Sequence, residues 1–112
     1  MVSTPVKSLL DVVLQRIKPG IGLLLSVDGT IEPYNPARAD KTYDFKELKD
    51  KIGCQIGEKV DLSEDVIMVI DEEGKLSEKE INISATALYQ ERFRVKDYIA
   101  GDVVICHTKA IR

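Results

Sequence analysis

The chain has 112 residues, 44% of them hydrophobic and 31% charged, with a formal net charge of −3. That length sets a single domain large enough to bury a proper core, and that composition excludes disorder. The mild negative charge excludes a general nucleic-acid binder, which needs a basic surface, and it falls short of the dense carboxylate rows of a DNA mimic.

In chain order, residues 4–18 predict a helix. Thr4 suits the N-cap and Pro5 the first helical position, while Val6, Leu9, Leu10, Val13 and Ile17 recur at helical spacing up to Pro19-Gly20. Val12 and Leu14 widen the apolar face, so the helix must cover a core, a second subunit or a partner. Residues 22–27 predict a strand. Asp28-Gly29 then signals a two-residue type I′ hairpin, with residues 30–32 returning antiparallel. Pro33 and Pro36 end the pairing and make residues 34–40 a loop.

The second helix carries the strongest signals. Asp44 and Glu47 form a capping box, Tyr43 and Leu48 a staple, Phe45, Leu48 and Ile52 the buried stripe, and Gly53 the stop. Lys46, Glu47, Lys49, Asp50 and Lys51 read as its solvated face. Strands follow at residues 56–62 and 66–71, the second continuously apolar and therefore covered on both faces. Glu72, Glu73 and Gly74 turn the chain, and Lys75-Leu76 begins a short return. Asn82 caps a third helix running to about Arg92, with Ile81, Ala85 and Leu88 inward. Residues 94–97 are polar loop, and residues 103–106 close the sheet. The order predicts an α+β fold: a two-layer domain with a mostly antiparallel sheet of about five strands, plus the N-terminal helix. Residues 1–20 form that helix and residues 21–112 the α+β domain. Leu48, Ile52, Val66, Met68, Ile70, Leu88, Val103 and Ile105 are the expected core.

Four stretches occur in order: Ile31-Glu32-Pro33-Tyr34-Asn35-Pro36; Met68-Val69-Ile70-Asp71-Glu72-Glu73-Gly74-Lys75-Leu76; Asn82 through Ala85-Thr86 to Leu88-Tyr89; and Ile99 through Gly101-Asp102-Val103 to Cys106. Together they resemble the family called domain of unknown function 3846, over about residues 22–106. The resemblance implies an origin in a phage or mobile element. It brings no catalytic residues to carry over, and the N-terminal helix lies outside it.

Candidate chemistry divides sharply. His107 is the single histidine, and its neighbour Cys106 points to the opposite face of a strand, so neither a metal site nor a Cys-His pair follows. Cys54 and Cys106, with no signal peptide, read as small buried hydrophobes of a cytoplasmic protein. Asp71, Glu72 and Glu73 lack the staggered spacing of a cation-binding loop and read as a polar turn. The glycines form no phosphate loop, so no metal, cofactor or catalytic set is expected, and the chain reads as a non-enzyme.

Two regions are candidates for binding. Tyr34, Asn35 and Arg38 stand on a proline-stiffened loop, offering a ring, an amide and a forked cation. Asn82, Ser84 and Thr86 stand at a helix start, whose N–H groups and dipole favour anions. Arg92 and Arg94 lie about ten residues along that helix, roughly 15 Å away, and reach the same site only from a neighbouring subunit. The expected function is non-enzymatic binding of a small anionic or nucleotide-derived ligand, such as a host defence signal. The alternatives are a protein-interaction module that inhibits or tethers a host protein, and an enzyme. A two-fold homo-oligomer through the N-terminal helix is the expected assembly, with no membrane association.

Overall fold

The computed structural model describes residues 7–112. Helix α1 spans Leu9–Arg16, with Ser8 as its cap: the Ser8 side chain accepts from the Asp11 amide. The expected cap at Thr4 and first-turn proline at Pro5 lie outside the described residues. The helix stops at Arg16, because Ile17 is already extended.

Strand β1 (Leu23–Leu25) turns back into β2 (Ile31–Pro33). The turn is not the expected two-residue loop. Gly29 has φ 92°, whereas Asp28 is not among the residues with positive φ. The Gly29 amide donates to Ser26 O, and Ser26 donates to Thr30 O. That is a three-residue loop, a tight turn followed by a left-handed glycine, the commonest hairpin connection after the two-residue loops. The Asp28 carboxylate fixes it, accepting from the amide and hydroxyl of Thr30, and those bonds hold its pKa below the usual value.

Helix α2 (Phe45–Ile52) forms as its signals predict, with the Asp44 amide donating to Glu47 and Gly53 ending the helix in left-handed conformation. Strands β3 (Gly57–Asp61) and β4 (Val66–Asp71) form a hairpin, and α3 (Ile83–Phe93) precedes β5 (Val103–His107). No strand forms at Lys75-Leu76. Residues 72–78 are consecutive turns, with Leu76 82% exposed, so nothing rewards pairing there.

The sheet order is β2-β1-β5-β4-β3, and every neighbouring pair is antiparallel. The expected α+β class and five-stranded antiparallel sheet are therefore present. The layer count differs, because helices cover both faces. Val13 and Ile17 of the α1 segment and Ala85 and Leu88 of α3 bury the face carrying Leu23, Leu25, Val60, Met68, Val103 and Ile105. Leu48 and Ile52 of α2 bury the opposite face, with Tyr43, Ile67, Val69, Val104 and Cys106. The alternation of strand side chains sorts β4 and β5 residues between these two cores.

All eight expected core residues are buried, but in two clusters, with Leu48 and Ile52 separated from the other six by the sheet. Ile81, expected to face inward, is 52% exposed. It lies before the helix, bridged antiparallel to Ala100. Val13 of α1 and Ile17 just after it are buried in the chain's own core, and Val12 of the same helix is 37% exposed. No helix among the described residues is long and apolar enough to cross a membrane.

Candidate functional site

The end of the sheet where β4 stops and β5 starts gathers several polar chains. β4 closes on Asp71, whose side chain is only 5% exposed. Its Oδ2 lies 2.7 Å from Lys79 Nζ, and its Oδ1 accepts from the Glu73 amide. The Lys79 ammonium also donates to the carbonyls of Ile52 and Gly53, at 3.2 and 2.8 Å. Lys79 thus pins the 71–79 turn to the C-terminal end of α2, where carbonyls attract a cation. Gly74 lets this turn touch the 97–101 segment, since a Cβ there would stand 2.6 Å from Ala100 O.

Asn82 joins the same region from below. It is completely buried, and its side chain makes three hydrogen bonds. Oδ1 accepts from the Ala85 amide at 3.0 Å, while Nδ2 donates to Leu25 O at 2.9 Å and Gly101 O at 3.0 Å. One side chain therefore caps α3 and ties it to β1 and to the approach to β5. The Thr86 hydroxyl completes the tie by accepting from the Ile99 amide.

Between the turn and this tie lies a cleft of about 140 Å³. Tyr89 and Tyr98 supply its rings, Ile70, Ile99 and Ala100 its apolar floor, and Glu58, Glu72, Lys75 and Asp97 its polar edge. The Lys75 ammonium hydrogen-bonds the Asp97 carboxylate and sits 4.5 Å from the centroid of the Tyr98 ring. The hydrogen bond from Lys75, followed by one from the Tyr98 amide, holds Asp97 below the usual carboxylate range. Two larger and more open clefts, of about 300 and 410 Å³, border Lys79 on its other sides, the second reaching Cys54. Burial, then the nearby Asp71, raises the Cys54 thiol, so it stays protonated and is a poor nucleophile at neutral pH.

The six residues singled out in sequence do not form one site. The Tyr34 amide donates to Gly22 O at one end of β1, and Asn82 reaches Leu25 O at the other. Tyr34 packs on the α2 face, whereas α3 lies on the opposite face. The Tyr34 ring stacks on Tyr43, with centroids 5.5 Å apart, and Lys51 lies 5.2 Å from its centroid. Asn35 accepts from the Gly22 amide, so it orders its own loop. Arg38 pairs with Asp44 at 3.1 Å and approaches Asp40 at 3.9 Å, so carboxylates of its own chain already take its positive charge. Asn82 and Thr86 are committed to backbone groups, and Ser84 is half-buried in the first turn of α3. Arg94 closes the far end of α3, and Arg92 rests on Phe93. His107 Nδ1 accepts from the Lys109 amide and caps a short 3-10 turn.

In the sequence Asp71 and Glu72 read as a polar turn, Lys75 as the start of a short return and Asp97 as polar loop, and Tyr98 carried no assignment. Their signal was nevertheless present: three of the four stretches that carry the family resemblance supply Ile70 to Lys75, Tyr89, Ile99 and Ala100. Folding brings those stretches to one place. Compared with known protein families, residues 23–111 match the domain of unknown function 3846. The chain belongs to that family. The match covers all five strands, α2 and α3, and leaves α1 outside. No curated protein and no solved structure matches the chain.

Proposed function

We propose that this member of the domain of unknown function 3846 family is a non-enzymatic binding protein that takes a small polar ligand in the Tyr89–Tyr98 cleft. The supporting observation is a concave site in which two aromatic rings and the side chains of Ile70, Ile99 and Ala100 stand beside five charged residues, Glu58, Asp71, Glu72, Lys75 and Asp97. Prearranged walls lower the entropic cost of binding. Of the lining residues, Asp71 is paired with Lys79 and Ala100 is bridged to Ile81, while Gly101, next to Ala100, accepts from Asn82.

The volume sets the size of what enters. An engineered cavity of about 150 Å³ accommodates one benzene ring, so this cleft takes a single ring or a short chain. The polar edge sets its character, since Glu58, Glu72 and Asp97 accept hydrogen bonds. A nucleotide-derived ligand would therefore enter through its donor groups, with its phosphate left outside. An origin in a phage or mobile element would give such a binder a use, namely removing a host signal from solution.

The test is native mass spectrometry of protein taken from its cell of origin, joined to amide NMR with a fragment panel of nucleosides, nucleotides, amines and sugars. Fragments should shift the amides of Tyr98, Ile99 and Ala100, and Tyr98→Ala should abolish those shifts. Fragments that perturb only other surfaces would refute the assignment.

A second reading, an interaction module, is favoured by one observation. An apolar groove of about 270 Å³ opens between α1 and β2 and includes Leu9, Leu23 and Pro33. Val12 and Ile31 in it are 37% and 43% exposed. β2 is a sheet edge, and a two-fold copy of the chain would cover both the groove and that edge. Val12→Lys with Ile31→Lys would then lower the mass seen by analytical ultracentrifugation; unchanged mass would refute the dimer.

A further inference from the structure

We infer that the ligand of the Tyr89–Tyr98 cleft carries a primary ammonium or guanidinium group, and that Lys75 occupies the seat of that group until the ligand arrives. This rests on the cleft being the binding site. A cation seat needs a ring face and a carboxylate, and Tyr98 with Asp97 supplies both. The structure holds a cation there already: Lys75 Nζ is 4.5 Å from the Tyr98 centroid and hydrogen-bonded to Asp97.

Lys75 is placed to yield. Its side chain is 43% exposed and that of Asp97 53%, and ion pairs this open to water are weak. The 71–79 turn does not depend on that side chain. Its backbone is held by Gly74 donating to Asp71, Ser77 to Glu73, Glu78 to Lys75 and Lys79 to Gly74. The Lys75 side chain can therefore swing into water while the wall of the cleft stays in place.

Charge then selects what replaces it. Asp71 is compensated by Lys79. With Lys75 withdrawn, Glu58, Glu72 and Asp97 face the cleft without a cation among its lining residues. An incoming ammonium or guanidinium restores that balance, whereas a carboxylate or phosphate adds to the repulsion. The apolar floor of Ile70, Ile99 and Ala100 accepts the alkyl or ring portion that carries the charge.

The experiment titrates the full chain with n-butylammonium and methylguanidinium, using butyrate, inorganic phosphate and adenosine as comparisons, and follows the amides of residues 97–101 by NMR. Both cations should produce saturable shifts there, and butyrate and phosphate none. Lys75→Met should tighten cation binding about fivefold by removing the internal competitor, the scale expected for an exposed pair. Asp97→Asn should weaken it at least as much. Thermal unfolding of both variants checks that the fold is intact, which the exposure of the two side chains favours. Adenosine or an anion shifting these amides while the cations do not would overturn this inference and leave the binding site standing. Cation binding unchanged in Lys75→Met would also overturn it. No shift from any of the five probes would overturn both readings.

Discussion

Asn82 offers the sharpest test of how this fold is held together. In Asn82→Ala three hydrogen bonds disappear, and the buried Ala85 amide, Leu25 carbonyl and Gly101 carbonyl lose a partner. At about 1 kcal/mol net for each bond, the loss is about 3 kcal/mol, a large share of the 5–15 kcal/mol that stabilises a typical domain. With a urea dependence of roughly 1.5–2 kcal/mol per M, the unfolding midpoint should fall by about 1.5–2 M at unchanged slope. Asn82→Asp separates two explanations of that loss. Aspartate caps an isolated helix as well as asparagine does, so a residue serving only as a cap would tolerate the change. Here the new carboxylate would face two carbonyl oxygens in a fully buried position, without the donor that Nδ2 supplied. It should therefore be at least as damaging as alanine at pH 7. The folded state would raise the pKa of the introduced carboxyl above its unfolded value of about 3.9, so the native chain binds the extra proton and the deficit shrinks as pH falls through the folded pKa. Urea titrations of both variants at pH 7 and pH 5 measure this. Wild-type stability of Asn82→Asp at pH 7 would refute the three-way tie.

The two-core architecture predicts that Leu48→Ala and Leu88→Ala each cost about 2–5 kcal/mol, and that their effects add to within about 0.5 kcal/mol, because the sheet separates them. Strong non-additivity in a double-mutant cycle would show one shared core. Lys79→Met strands the Asp71 carboxylate, 5% exposed, and should cost about 3–5 kcal/mol in chemical denaturation, with partial recovery when Asp71→Asn is added. Asp97 is held low chiefly by Lys75, so its stabilising contribution is present above the unfolded carboxylate pKa and is lost as pH falls through the folded value. In Lys75→Met the Asp97 titration followed by carboxyl NMR should move upward, and an unmoved curve would remove Lys75 as the cause. Cys106 is fully buried, with its thiol pushed up to about 12, whereas Cys54 is half-buried, so a thiol reagent should label Cys54 first in the native protein. Equal labelling rates would contradict that burial.

Local chemistry alone determined much of this protein. The capping box at Asp44 and Glu47, the stop at Gly53, the Asn82 cap and the apolar run of β4 act over a few residues, so their elements lie where those signals stand. The family could also be read from the sequence, because its stretches are contiguous. Local signals were silent on strand order, on the second helical layer and on which polar residues meet. Helical periodicity showed that α1 and α2 each have a buried face, but not which side of the sheet receives it. The loop of Tyr34 to Arg38 and the start of α3 both had suitable chemistry for a ligand. Folding placed them at opposite ends of β1 and satisfied Asn35, Arg38 and Asn82 with partners inside the chain. The cleft was hidden for the same reason. Tyr89, Tyr98, Lys75 and Asp97 belong to a helix, a loop and a turn whose patterns say nothing about one another, and only the tertiary fold brings them to line one cleft.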